Sequence, residues 1–142
     1  MRRPRIGIVG AGQLGRMLAL AGYPLGIDCH VLDRGADTPG AQVAHAVEGE
    51  LDDPQALAEL AAGVDVVTLE IENVAVPALE TLAGRIAVYP PPQAVAAAQD
   101  RLAEKTLFRS LGIPTAEFVA IDSAADCAAV AKLGWPVVVK TR

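Results

Sequence analysis

Cysteines, aromatic residues and long apolar runs are all scarce in this sequence. The 142 residues include 2 cysteines, and aromatic side chains make up 4% of the chain. Cys29 lies in a strand pattern and Cys127 in a helical one; since neither spacing nor context indicates a disulfide framework or a metal site, we expect two small buried thiols. No run of about 18 apolar residues predicts a membrane span, and no secretory pattern opens the chain. We therefore expect a cytoplasmic protein with an aliphatic core.

Basic residues are also few, and the formal net charge is −5. They are scattered, apart from Arg2, Arg3 and Arg5 near the amino terminus. The net negative charge and the scatter of basic residues argue against nucleic acid and anionic membranes as partners. A small anionic ligand stays open, because a helix start and one or two cations are enough to bind it. The two histidines, His30 and His45, have no metal-ligand spacing around them.

A glycine motif dominates the first part of the chain. Gly10, Gly12 and Gly15 match G-x-G-x-x-G between an apolar strand pattern and a helical run, Gln13–Gly22. Such glycines allow a tight turn, close approach of the backbone to a ligand, and close packing of helix on sheet. A second predicted strand, Ile27–Leu32, is followed by Asp33. At that position an acid either binds a ribose, as in dinucleotide folds, or caps the strand end, and the sequence leaves both open.

Strand-like and helix-like runs alternate over the first 90 residues. This alternation predicts an α/β fold, a Rossmann-like parallel sheet with helices on both faces. Val64–Leu69, an apolar and β-branched run typical of a buried strand, is followed directly by Glu70. Because ligands bind beyond the carboxyl ends of parallel strands, we expect Gly10, Asp33 and Glu70 to share one rim of the sheet.

A proline triplet, Pro90-Pro91-Pro92, is the predicted domain boundary. It separates a substrate-side Rossmann-like domain, residues 1–90, from residues 91–142, which we expect to be linker helices and the beginning of an α+β domain. The elements predicted after the triplet are helices over Gln93–Ala98, Arg101–Leu111 and Ser123–Lys132 and strands over Thr115–Ile121 and Pro136–Thr141. Since one pair of strands is marginal in water, we expect a second domain that has only begun.

Four blocks, GAGQLGRML, LEIENV, QDRLAEKTLFRSLGIPTAEF and WPVVVKTR, resemble in that order the amino-terminal part of the N5-carboxyaminoimidazole ribonucleotide synthetases, a purine-biosynthetic family of the ATP-grasp superfamily. The resemblance covers this whole chain but only the leading part of the family's length. It implies ATP-dependent carboxylation of 5-aminoimidazole ribonucleotide by bicarbonate through carboxyphosphate, with Mg²⁺, and a homodimer at full length. The lid loop and metal-binding acids of the family are missing here, so we expect the chain alone to be inactive.

The resemblance also implies roles for individual residues. It places Gly12, Gln13 and Leu14 against the ribonucleotide at the helix start, and Glu70 at its ribose or amine side. It implies that two cations, Arg101 and Lys140, bind the phosphates of ATP. It assigns no catalytic residue and no metal ligand in this chain.

The helix dipole bears on Arg101, and the alternation of side chains along a strand bears on Glu70 and its neighbour Glu72. Arg101 in a first helical turn opposes the helix dipole, a local conflict expected where function selects the residue. If Glu70 and Glu72 both lie in a strand, they face the same side. The resemblance implies that Glu72 and Asn73 shape the adjoining loop.

Two other functions fit the residues. The glycines and Asp33 also suit an NAD-binding Rossmann domain of an oxidoreductase. A non-catalytic interaction module, using the open sheet edge, is the third hypothesis.

Overall fold

The computed structural model of the chain describes residues 2–141. Within them a single sheet carries parallel strands in the order β3-β2-β1-β4-β5. The strands are β1 (Arg5–Val9), β2 (Asp28–Asp33), β3 (His45–Glu48), β4 (Val66–Leu69) and β5 (Val88–Tyr89). The helices that accompany them are α1 (Gln13–Gly22), α2 (Pro54–Gly63), α3 (Val76–Ala83) and α4 (Pro92–Gln99). The predicted α/β fold with a parallel sheet is confirmed.

Contacts divide the chain into two compact units, the first ending at Ala96 and the second beginning at Ala97. This division falls after the predicted boundary at the proline triplet. The reason lies in α4, which starts within the triplet and buries Pro92 and Val95. Val95 belongs to the core of the first unit, so the residues just after the triplet fold with the sheet. Met1 and Arg142, the outermost residues of the two predicted domains, lie outside the described residues.

The core of the first unit lies on both faces of the sheet. Alternation along β1 puts Ile8 in one apolar cluster and Val9 in the other, as expected for a strand covered on both sides. Helix α1 covers the Ile8 cluster with small residues, and its buried positions are Gly15, Ala19 and Gly22. The opposite cluster is larger and includes Leu57 and Leu60 of α2 and Leu79 and Leu82 of α3.

The prediction of two buried thiols is correct for one cysteine only. Cys29 is buried beside α1, and burial raises the pKa of its thiol, with a smaller contribution from Asp28. Cys127 is exposed in the second unit, where the short helix that carries it has no buried residue.

Helix α2 begins at an acidic cap. The Asp53 carboxylate accepts hydrogen bonds from the backbone N–H groups of Gln55 and Ala56, at 3.1 and 3.3 Å. Pro54 occupies the first helical position, where its missing N–H costs nothing.

The two histidines are partners across the sheet. His30 of β2 stands opposite His45 of β3, and their ring centroids lie 4.8 Å apart. The pKa of His30 is lowered, first by burial and then by the neighbouring His45. Asp28, 3.7 Å from His30 Nε2, opposes that shift, whereas Arg5 adds to it.

The second unit contains helix α5 (Arg101–Ser110) and the four-residue helix α6 (Cys127–Val130). Asp100 caps α5, accepting hydrogen bonds from the backbone N–H groups of Leu102 and Ala103 at 2.8 and 2.9 Å. Single 3₁₀ turns flank α6, so the predicted helix over Ser123–Lys132 is broken into three short pieces.

The strands predicted in the second unit are wrong. Neither Thr115–Ile121 nor Pro136–Thr141 is a strand in the structure. A strand is defined by the ladder that it shares with a neighbour, and residues 97–141 hold no strand with which either segment pairs. In the part of the chain that the structure describes, no helix combines the length and apolar character needed to cross a membrane.

Candidate functional site

The strand order reverses at the centre of the sheet. Along the chain, β2 and β3 are added on one side of β1, whereas β4 and β5 are added on the other. Val9 and Leu69, the last residues of β1 and β4, are opposite each other in the register. In open parallel sheets the ligand crevice lies beyond the carboxyl ends of the strands at such a reversal. The glycine loop follows β1 at this point, and Glu70 follows β4.

The Glu70 carboxylate lies directly on the glycine loop. A Cβ added at Gly12 would come within 2.9 Å of Glu70 Oε1, and one added at Gly10 would overlap Glu70 Oε2. Gly10 also has a φ of +100°, a conformation that residues with a side chain rarely adopt. Two glycines therefore make room for one acid, and the structure confirms that Gly10 and Glu70 share a rim.

The third glycine seats helix α1 on the loop. A Cβ at Gly15 would lie 2.9 Å from the carbonyl oxygen of Gly10, so a larger residue would push the helix away. Gly12 is the N-cap residue of α1 and makes no side-chain cap. Gln13 is exposed, and Leu14 is 59% exposed, so both predicted contact residues at the helix start face solvent. The dipole of α1 leaves partial positive charge here.

Asp33 contacts the same loop through its side chain. Its Oδ2 accepts a hydrogen bond from the Ala11 N–H at 2.8 Å, and its Oδ1 accepts one from the Arg34 N–H at 2.8 Å. These are the contacts of a strand-end cap. Sequence reasoning missed the bond to Ala11, although the acid at the end of β2 was the visible signal.

Glu72 does not share the strand geometry that alternation predicted. Strand β4 ends at Leu69, so the residues that follow it are free of the two-residue repeat. Ile71 packs against the larger core cluster, and Glu72 is exposed. The condition under which Glu70 and Glu72 would face the same side, namely that both lie in a strand, is therefore not met.

The two predicted ATP-binding cations lie in the second unit. Arg101 is the first residue of α5, and its Nη1 lies 3.2 Å from Glu104 Oε2, one turn further along the helix. Lys140 is exposed and lies outside regular secondary structure. The structure thus brings Gly12, Gln13, Leu14 and Glu70 to one site in the first unit, and Arg101 and Lys140 to the second unit.

Potential metal ligands are dispersed over the described residues. No group of three or more histidine, cysteine, aspartate or glutamate side chains among residues 2–141 is arranged to hold a metal ion.

This loop, helix and acid at a strand-order reversal define a Rossmann-like α/β domain with a candidate ligand site beyond the carboxyl ends of its strands. Residues 3–99 match the family described as the ribonucleotide synthetase pre-ATP-grasp domain, and the chain belongs to that family. The chain is similar to the N5-carboxyaminoimidazole ribonucleotide synthase of Pseudomonas aeruginosa, with 43% identity over 139 residues. That alignment covers 97% of this chain and 39% of the relative.

Solved structures agree with this assignment. N5-carboxyaminoimidazole ribonucleotide synthetase from Thermus thermophilus superposes with a TM-score of 0.86 at 48% identity, over 92% of this chain and 37% of that one. The synthase from Aspergillus clavatus, in complex with ADP and 5-aminoimidazole ribonucleotide, gives a TM-score of 0.83 at 37% identity, over 94% and 37%. The chain thus corresponds to the amino-terminal part of these proteins and spans less than half of their length.

Proposed function

We propose that this chain forms the ribonucleotide-binding end of an ATP-dependent enzyme that carboxylates 5-aminoimidazole ribonucleotide in purine biosynthesis. One observation carries the proposal, namely the Glu70 carboxylate against Gly10 and Gly12 at the strand-order reversal. The family and the ligands of the Aspergillus clavatus relative support it.

The residues at the loop suit the ribose and amine side of such a substrate. An ionised carboxylate only accepts hydrogen bonds, so Glu70 favours hydroxyl or amine groups. Gln13 both donates and accepts, and Leu14 contributes its backbone N–H and apolar contact. In this arrangement Glu70 orients the ribonucleotide so that its exocyclic amine is presented to the activated carbon.

The chemistry requires an activated form of bicarbonate. Bicarbonate is a poor electrophile, and transfer of the γ-phosphoryl group of ATP gives carboxyphosphate, whose phosphate is a good leaving group. The amine nitrogen then attacks the carbonyl carbon, so that a C–N bond forms and the C–O bond to phosphate breaks. Phosphate leaves and takes up the proton that the amine nitrogen loses. Phosphoryl transfer depends on positioning and charge neutralisation, and Arg101 and Lys140 are the proposed cations for the ATP phosphates. Mg²⁺ accompanies ATP in the full enzyme, which we propose to be a cytoplasmic homodimer.

Titration of the chain with 5-aminoimidazole ribonucleotide tests the proposal. We expect Glu70→Gln to weaken binding by about tenfold or more, as expected when a hydrogen bond to a charged group is lost. Glu72→Gln is the matched control, because Glu72 is exposed and follows the same strand. Absence of ribonucleotide binding, or NADH binding at micromolar affinity, would overturn the proposal, the latter in favour of an oxidoreductase domain.

Turnover is a separate test. Because the chain spans 39% of the Pseudomonas aeruginosa relative, we expect no ATP-dependent phosphate release from it alone with bicarbonate and ribonucleotide. Release above that of a buffer control would contradict this expectation.

A further inference from the structure

Both main-chain polar groups of Ala11, the central residue of the glycine loop, are hydrogen-bonded, one to the last residue of β2 and the other to the segment that follows β2. The Ala11 N–H donates to Asp33 Oδ2 at 2.8 Å, and the Ala11 carbonyl oxygen accepts from the Gly40 N–H at 2.8 Å. Ala11 is completely buried. The connection between β2 and β3, residues 34–44, therefore helps to hold the glycine loop in position.

This connection also contacts helix α1. Arg16 Nη1 donates to Gln42 Oε1 at 2.6 Å, and Ala44 packs against the α1-side core cluster. Gly40 is buried so closely on the loop that an added Cβ would lie 3.0 Å from the Cα and Cβ of Ala11. The connection thus reaches the loop at Ala11 and the helix at Arg16.

We propose that residues 34–44 and Asp33 form a clamp that positions the glycine loop for the ribonucleotide, and that Asp33 is a positioning residue. Asp33 does not need to touch the ligand. It fixes Ala11, and thereby the flanking Gly10 and Gly12, on which the Glu70 carboxylate rests. This inference rests on the proposed function for the identity of the ligand, but not for the clamp itself.

A matched pair of substitutions separates positioning from general stability. Asp33→Ala and Asp53→Ala each remove a carboxylate that accepts two backbone N–H groups, and Asp53 caps α2 beyond the edge strand β3. We expect Asp33→Ala to weaken binding of 5-aminoimidazole ribonucleotide by about tenfold, and Asp53→Ala to leave binding unchanged. Asp33→Asn, which keeps one acceptor, should restore part of the affinity.

Amide exchange gives a readout that needs no ligand. In Asp33→Ala the Ala11 amide should exchange at least about tenfold faster than in Asp53→Ala, because its acceptor is gone. Equal exchange of Ala11 in the two variants overturns the clamp, as does full ribonucleotide affinity in Asp33→Ala. If the wild-type chain binds no ribonucleotide, the proposed function fails, and accelerated Ala11 exchange in Asp33→Ala alone still supports the clamp.

Discussion

Gly10→Ala probes the candidate site most directly, because two separate costs meet at one position. The backbone there has a φ of +100°, which strains any residue with a side chain. The new Cβ would also overlap Glu70 Oε2 and lie 3.2 Å from both Glu70 Cβ and Ile71 Cγ2. A substitution that adds a single methyl group thus disturbs both the loop and the acid resting on it.

The expected magnitude follows from these two costs. A side chain in a sparsely populated backbone region costs about 1–3 kcal/mol, and overpacking by a methyl group costs about 1–3 kcal/mol more. Alanine returns about 0.4–1 kcal/mol by reducing the entropy of the unfolded chain. We therefore expect Gly10→Ala to lower the free energy of unfolding by about 1–5 kcal/mol.

Urea unfolding followed by far-UV circular dichroism measures this loss of stability. A double-mutant cycle with Glu70 separates the cost of backbone strain from the cost of overlap with the carboxylate. In a Glu70→Ala background the overlap with the carboxylate disappears while the backbone strain stays, so the penalty should shrink by about 1–3 kcal/mol. Gly35→Ala is the control, because a Cβ at Gly35 meets nothing within 4 Å. The reasoning is refuted if the penalty is the same with and without Glu70, or if Gly10→Ala is as mild as Gly35→Ala.

Two further predictions concern the core and the histidine pair. Leu60 is completely buried, so Leu60→Ala should lower the free energy of unfolding by about 2–5 kcal/mol in urea titrations. Leu25 is 75% exposed, so Leu25→Ala should change the same free energy by less than about 0.5 kcal/mol. Because burial and His45 lower the pKa of His30, the unfolded chain binds more protons below about pH 6.5, and stability should fall as the pH decreases through that range. His45→Ala removes the second-largest cause of the lowered His30 pKa and should flatten this dependence in urea titrations from about pH 7.5 to pH 5. An unchanged slope would contradict the pairing.

Local signals were enough to predict much of the first unit. The helix Gln13–Gly22 is found where the sequence places it, because a glycine turn and the helix start after it depend on neighbours within a few residues. The meeting of Gly10 with Glu70 was also predictable, since topology alone brings strand ends together.

The features that the sequence did not predict depend on residues far apart in the chain or on the presence of a neighbouring strand. The bond from Ala11 to Asp33 joins residues far apart in the chain, and an acid at a strand end is equally compatible with a ribose or a backbone amide. The apolar segments around Phe118 and Val138 have strand-like composition, but composition does not state whether a neighbouring strand is present.

The glycine fingerprint by itself does not determine which ligand is bound, and the acids around it decide the chemistry. In dinucleotide folds the pyrophosphate sits at the helix start, and the acid after the second strand is free for the ribose. Here that acid, Asp33, already binds the Ala11 and Arg34 amides, and a different acid, Glu70, lies over the loop from the next strand across. A phosphate at this helix start would face a like charge at close range, whereas a hydroxyl or an amine would find an acceptor. The contacts of Asp33 and Glu70 around the same three glycines therefore support the proposed binding of the uncharged side of a ribonucleotide over that of a dinucleotide pyrophosphate.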